Sequence, residues 1–159
     1  MSDANAHVSR RRFCAGACQV ASGATLATLF TGCGGGSPTS PSGGGNITTL
    51  GTVSGRFTTG RVDVTVAGTA LAADGGAALV ESVAGVYLLA RTSANSFTAV
   101  EAVCTHEGCT VSNADGDQYV CPCHGSRYTR SGQVVRGPAV ASLRRYTTSF
   151  TDGVVTIAI

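Results

Sequence analysis

From Ile47 onward the chain consists of short segments of apolar and β-forming residues, broken by glycine. Residues 61–66 alternate with a period of two, which is typical of a strand with one buried face. No sustained helical period is present in this part of the sequence. The pattern predicts an all-β domain, a small antiparallel sandwich or partly open barrel. The further strand candidates are residues 77–81, 86–91, 97–103, 146–150 and 154–159.

Two turn signals predict hairpins. Thr151-Asp152-Gly153 separates the last two strand candidates, and its glycine supplies the positive φ that a tight turn needs. Fourteen residues separate His106 from Cys121, which leaves room for a strand out and back with Asp115-Gly116 at the tip. The segments that flank this second hairpin would then lie side by side.

The first 33 residues differ from the rest and predict a targeting segment. Three arginines at positions 10–12 precede Phe13 and an alanine-rich, weakly apolar run over residues 15–30. Four polar residues interrupt that run, whereas a membrane span needs about 18 strongly apolar residues. The arrangement resembles a twin-arginine export signal, so we expect the protein in the periplasm or on the outer face of a membrane.

Leu29-Phe30-Thr31-Gly32-Cys33 resembles a bacterial lipobox, in which cleavage before the cysteine frees its thiol for a lipid. Phe30 departs from the small aliphatic residue that is usual at that position. We expect a lipid anchor on Cys33 that holds the protein at the membrane. Two alternatives stay open: the cysteine is incidental, or the whole leader is retained as a poor transmembrane anchor.

Residues 34–46 are rich in glycine, serine and proline and predict a flexible tether. A chain of this composition spans about 20 Å root-mean-square, from about 5–6 Å times the square root of its length. The predicted organisation is therefore an export signal over 1–33, a tether over 34–46 and one folded domain over 47–159.

Charge excludes one class of partner. The chain has 11 basic and 9 acidic residues, with a formal net charge of +2. Three of the basic residues lie in the leader, so the predicted domain is close to neutral. A neutral domain gives no reason to expect nucleic acid as a partner.

Cysteine and histidine cluster in one window of the domain. Four of the seven cysteines and two of the three histidines lie between positions 104 and 124. Thiolate sulfur and imidazole nitrogen are ligands of zinc and of iron–sulfur clusters. Cys104-Thr105-His106 and Cys121-Pro122-Cys123-His124 each offer such donors around a short turn, and together they predict a metal site.

These residues resemble the Rieske iron–sulfur family, whose pattern is Cys-x-His followed, after a gap of about fifteen residues, by Cys-x-x-His. The resemblance extends to Gly137-Pro138-Ala139 and implies a Rieske-type fold with two ligand loops in a cluster-binding part at about 103–139. It implies that Cys104 and Cys121 bind one iron of a [2Fe-2S] cluster. His106 and His124 would bind the other iron.

The same resemblance implies roles for the remaining residues of the window. Cys109 and Cys123 would form a disulfide between the ligand loops, a pair that the cytoplasmic ferredoxins of ring-hydroxylating oxygenases typically lack. Ser126 and Tyr128 would donate hydroxyl hydrogen bonds to cluster sulfur and raise the potential. Gly137 and Pro138 would belong to a loop that covers the cluster.

The function implied is one-electron transfer outside the cytoplasm, by a membrane-tethered carrier or by an electron-transfer subunit of an oxidoreductase complex. Its partners would be redox proteins. One alternative is the small subunit of a quinol–cytochrome c reductase or of a periplasmic molybdenum oxidase. A remote alternative is a structural zinc module. No cysteine or histidine of residues 47–159 is left over for catalysis, so we expect no catalytic centre in this chain.

Overall fold

The computed structural model describes residues 46–159, which form an all-β domain as predicted. The one helical element in this range is a short 3-10 turn, Ala70–Ala72. The strands are β1 (Thr48–Thr49), β2 (Thr52–Ser54), β3 (Arg56–Thr58), β4 (Arg61–Thr65), β5 (Ala77–Ser82), β6 (Gly85–Ser93), β7 (Ser96–Glu101), β8 (Asn113–Asp115), β9 (Gln118–Val120), β10 (Arg127–Thr129), β11 (Val134–Arg136), β12 (Arg145–Thr151) and β13 (Val154–Ala158).

The strands form two sheets. The larger has the order β2-β5-β6-β7-β12-β13-β4-β3, and the smaller has the order β1-β8-β9-β10-β11. Every pair is antiparallel except β2 with β5, which run parallel with Thr52 opposite Leu79. The antiparallel prediction is wrong for this pair. β3 and β4 intervene in sequence between β2 and β5, and such a long connection allows a parallel return.

All six predicted strands overlap observed strands, and both predicted hairpins form. β12 and β13 pair up to Thr151 opposite Val154, and Asp152 and Gly153 in their turn have φ of 51° and 77°. β8 and β9 form the second hairpin, which closes with Asp115 opposite Gln118. The remaining strands have two or three residues, too few for a period to show in the sequence.

The strands β5, β6 and β7 bury both of their faces. Leu88 and Val100 belong to one apolar cluster, whereas their neighbours Leu89 and Ala99 belong to a second. The first cluster includes the buried cysteines Cys104 and Cys121, together with Val111, Tyr119, Tyr128 and Leu143. These three strands therefore separate two apolar clusters. The core of the larger sheet lies on one face, and the cysteine-containing segment packs on the other.

Within residues 46–159 there is no helix long and apolar enough to cross a bilayer. The predicted export signal, the tether and Cys33 lie outside the described residues. Those assignments, and the domain boundaries that depend on them, stay predictions.

Candidate metal centre

Two six-residue loops stand at one end of the β8–β9 hairpin. The first ligand loop, residues 104–109, lies between Val103 and Thr110, whose backbones pair in an isolated β-bridge. The second ligand loop, residues 121–126, connects β9 to β10. The hairpin between them brings the loops together, as the spacing of the sequence predicts.

Each loop is closed by the same pair of backbone hydrogen bonds. In the first, Cys104 N donates to Cys109 O at 2.8 Å, and Gly108 N donates to Cys104 O at 2.9 Å. In the second, the corresponding donors are the nitrogens of Cys121 and Gly125, at 2.9 and 3.0 Å. Gly108 and Gly125 have φ of 76° and 73°, values that favour glycine. The two loops are therefore built alike, although their sequences differ.

A disulfide joins the two loops. Cys109 and Cys123 are bonded, with an S–S distance of 2.07 Å, which confirms the disulfide that the family resemblance implies. In residues 46–159 the free cysteines are Cys104 and Cys121, both buried. These two are the thiols left to bind a metal.

The predicted ligands form two layers. The free thiols of Cys104 and Cys121 belong to residues that are 3% and 1% exposed. His106 and His124 lie at the surface, with side chains 30% and 47% exposed and ring centroids 5.0 Å apart. The structure thus brings all four predicted ligands into one site, with sulfur donors inside and nitrogen donors outside.

The two free thiols interact directly. Burial raises the pKa of Cys121, and its hydrogen bond with the Cys104 sulfur raises it further. Burial acts in the same direction on Cys104, but hydrogen bonds from Tyr128, from its own loop backbone and from nearby side chains outweigh it, so the Cys104 pKa is lowered. A lowered pKa favours the thiolate, which is the form in which cysteine binds a metal.

Tyr128 is fully buried beside Cys104 and makes three contacts through its hydroxyl. The oxygen lies 3.3 Å from the Cys104 sulfur and 3.2 Å from Thr105 Oγ1, and it accepts from Thr105 N at 3.3 Å. Thr105 Oγ1 donates its own hydrogen to the carbonyl of Ala141 at 2.6 Å. The Tyr128 hydrogen therefore has two acceptors within reach, Thr105 Oγ1 and the Cys104 sulfur. A cysteine that binds a metal as a thiolate has no hydrogen of its own, so in the contact with sulfur Tyr128 is the donor.

Ser126 is also fully buried, and its hydroxyl oxygen accepts from Ala139 N at 3.0 Å. Its own hydrogen is left to be donated. Ala139 follows Gly137 and Pro138, which are joined by a cis peptide bond. The segment 137–141, named here the third loop, is therefore bonded to both ligand loops, through Ser126 and through Thr105. That this loop covers the cluster stays a prediction.

Sequence reasoning missed two residues of the site. Thr105 and Glu107 occupy variable positions of the ligand pattern, which assigns no role to either of them. Thr105 connects Tyr128 to the third loop, and the Glu107 carboxylate lies beside both histidine rings. A charged residue inside an otherwise uncharged loop was the available signal for Glu107.

The donor set fits an iron–sulfur cluster. Two thiolates and two imidazoles also suit zinc, but a structural zinc site does not require buried hydroxyl groups next to the cysteine sulfurs. Cys109 and Cys123 also lie near Cys121, but their sulfurs are bonded to each other and so are excluded as thiolate ligands.

Comparison with known proteins identifies the family. The family described as Rieske [2Fe-2S] domain matches residues 61–147. The cytochrome b6-f complex iron-sulfur subunit of Chlorobaculum tepidum is 42% identical over 65 residues, which are 40% of this chain and 36% of that protein. The corresponding cyanelle subunit 1 of Cyanophora paradoxa is 53% identical over 58 residues, 35% of this chain and 24% of that protein.

These matches span about a third or less of each relative's length. Among solved structures, a complex of reduced oxygenase and oxidized ferredoxin in carbazole 1,9a-dioxygenase has a chain with a TM-score of 0.53 and 25% identity. The alignment covers 64% of this chain and 94% of that one. Its agreement with the two-sheet architecture supports the fold. The protein belongs to the Rieske [2Fe-2S] domain family, and its cofactor is a Rieske [2Fe-2S] cluster.

Proposed function

We propose that this protein transfers single electrons through its Rieske cluster, with Cys104 and Cys121 on one iron and His106 and His124 on the other. One observation supports this most directly: two buried free thiols and two exposed imidazoles belong to two loops that are joined by a disulfide. When bound, the cluster supplies a one-electron redox centre. The protein determines its access, its surroundings and its potential.

The buried side of the site tunes the potential. The hydroxyls of Tyr128 and Ser126 each have a hydrogen available for sulfur, and both residues are fully buried. Such donors stabilise the more negative, reduced state and raise the potential. Burial of Cys104 and Cys121 in the apolar cluster excludes water from the sulfur side.

The exposed side of the site is the route for electrons. Both histidine rings reach the surface, whereas the thiols do not. A redox partner that docks on this face would be separated from the cluster by little more than an imidazole ring. Electron entry and exit therefore occur at His106 or His124.

The relatives named as cytochrome b6-f complex iron-sulfur subunits support a partner of that kind, an oxidoreductase complex that oxidises quinol. A free carrier is the second candidate, favoured by the glycine-rich tether predicted over residues 34–46. For either candidate we propose export by the twin-arginine-like signal, outside the cytoplasm, with a lipid on Cys33.

The test is to purify the full chain and measure metal content, visible absorption and electron paramagnetic resonance of the reduced protein. Two irons per chain with iron–sulfur bands are expected, and Cys104→Ser should abolish them. Zinc without such bands would refute the proposal. A redox titration near about +200 to +300 mV would favour quinol or cytochrome partners, and one near about −150 mV would exclude them.

The anchor is tested separately. Cys33→Ser should leave the bands unchanged but release the protein from the membrane fraction. If the variant stays in that fraction, the lipid anchor is refuted. Recovery of the solubilised native protein with a larger complex, rather than alone, would favour the subunit over the carrier.

A further inference from the structure

The Glu107 carboxylate lies between the two exposed histidines. One of its oxygens is 4.0 Å from Nε2 of His106, and the other is 3.5 Å from Nδ1 of His124. Its side chain is 60% exposed. Water at such an exposed position stabilises the negative charge of a carboxylate. That charge stands at the end of the site where electrons enter and leave.

The surrounding loops contain no other acidic or basic side chain. Apart from the histidines, Glu107 is the sole charged residue of the two ligand loops and the third loop. The third loop consists of glycine, proline, alanine and valine, and its Val140 is 93% exposed.

In residues 46–159 no arginine forms an ion pair with Glu107. The ion pairs other than those with the histidines join Arg61 to Asp63, Arg91 to Asp74 and Arg127 to Asp115, all outside these loops. In this range the Glu107 carboxylate therefore has the two histidine rings as its only ion-pair neighbours.

We propose that Glu107 sets the reduction potential of the cluster from the histidine side, lowering it against the effect of Tyr128 and Ser126. This inference rests on the proposed function. Adding an electron beside a fixed negative charge is less favourable than adding it beside a neutral group. Because the carboxylate is more than half exposed, mobile ions screen it, and its effect weakens as salt increases.

Three variants of the full, cluster-loaded chain test this role. Glu107→Gln removes the charge and keeps the shape. Glu107→Asp keeps the charge. Asp152→Asn is the matched control: it removes one carboxylate charge at the turn that ends β12, a strand of 7 residues. β12 begins shortly after the third loop. At about 3.3 Å per residue, its 7 residues place the turn about 23 Å from that end of the strand.

The measurement is the midpoint potential by voltammetry, at about 10 mM and about 500 mM salt. Glu107→Gln should shift the potential to more positive values, with a larger shift at low salt, while Glu107→Asp and Asp152→Asn stay close to the parent. A merely structural role would not give a charge-specific, salt-dependent shift.

The outcomes separate the two proposals. If the parent protein lacks iron–sulfur bands, both the proposed function and the role of Glu107 fail. If the bands are present but Glu107→Gln leaves the potential unchanged, or shifts it no more than Asp152→Asn does, the role of Glu107 alone is refuted.

Discussion

Replacing Tyr128 by phenylalanine should lower the reduction potential of the cluster and leave its ligands in place. The substitution removes only the hydroxyl, which lies 3.3 Å from the Cys104 sulfur. Because Cys104 binds the cluster as a thiolate and has no hydrogen of its own, the Tyr128 hydroxyl is the donor in this contact. The reduced cluster is more negative, so it gains more from that hydrogen bond than the oxidised cluster does.

The size of the shift follows from the energy of one hydrogen bond. A bond to a charged acceptor contributes about 1.5–3 kcal/mol and one between neutral groups about 0.5–1.5 kcal/mol. A difference of about 1 kcal/mol between the two redox states corresponds to about 40 mV for one electron, since a tenfold change is about 59 mV. Loss of the acceptor for Thr105 N should also cost about 1–3 kcal/mol of folding free energy.

Tyr119→Phe is the matched control. Tyr119 lies directly opposite Tyr128 in the β9–β10 pair and is equally buried. Its hydroxyl has no hydrogen-bond partner in the part of the chain that the structure describes. Redox titrations of both variants should show a lowered potential for Tyr128→Phe alone. An unchanged potential in that variant, or equal shifts in the two, would refute the reasoning.

Three further predictions concern stability, each measured by urea unfolding. Changing Cys109 and Cys123 together to serine should cost about 3 kcal/mol, given their sequence separation of 14; an unchanged midpoint would contradict this. A Cβ at Gly76 would lie 1.8 Å from a backbone oxygen, so Gly76→Ala should destabilise by about 2 kcal/mol or more, unlike Gly51→Ala, whose Cβ meets nothing within 4 Å. Burial raises the pKa of Tyr119 to about 12 from 10.0. The unfolded chain therefore loses this proton first as pH rises, and stability falls between about pH 10 and 12; Tyr119→Phe should reduce that fall.

The parts of the ligand site lie close together along the chain, and local sequence patterns were therefore enough to propose it. The hairpin between His106 and Cys121 follows from the length of the gap and from Asp115-Gly116. The cysteine pairing is different, since four cysteines in one window permit several combinations. The resemblance to a family, rather than spacing, indicated that Cys109 bonds to Cys123.

The long-range contacts around the site were not predictable in the same way. Thr105 and Ala141 are 36 positions apart, and nothing in their residue types indicates that they meet. The parallel pairing of β2 with β5 is a similar case, since a three-residue strand has no detectable period.

Periodicity, turn residues and ligand spacing are local properties, and they were enough to predict the all-β class, the longer strands and the Cys/His pattern. Which thiols are buried, which imidazoles are exposed and where Glu107 lies between the two histidines became visible only in the folded domain. The same is true of the apolar packing on both faces of β5, β6 and β7. Burial and the distance between side chains depend on where distant segments return, and a one-dimensional pattern does not specify that return.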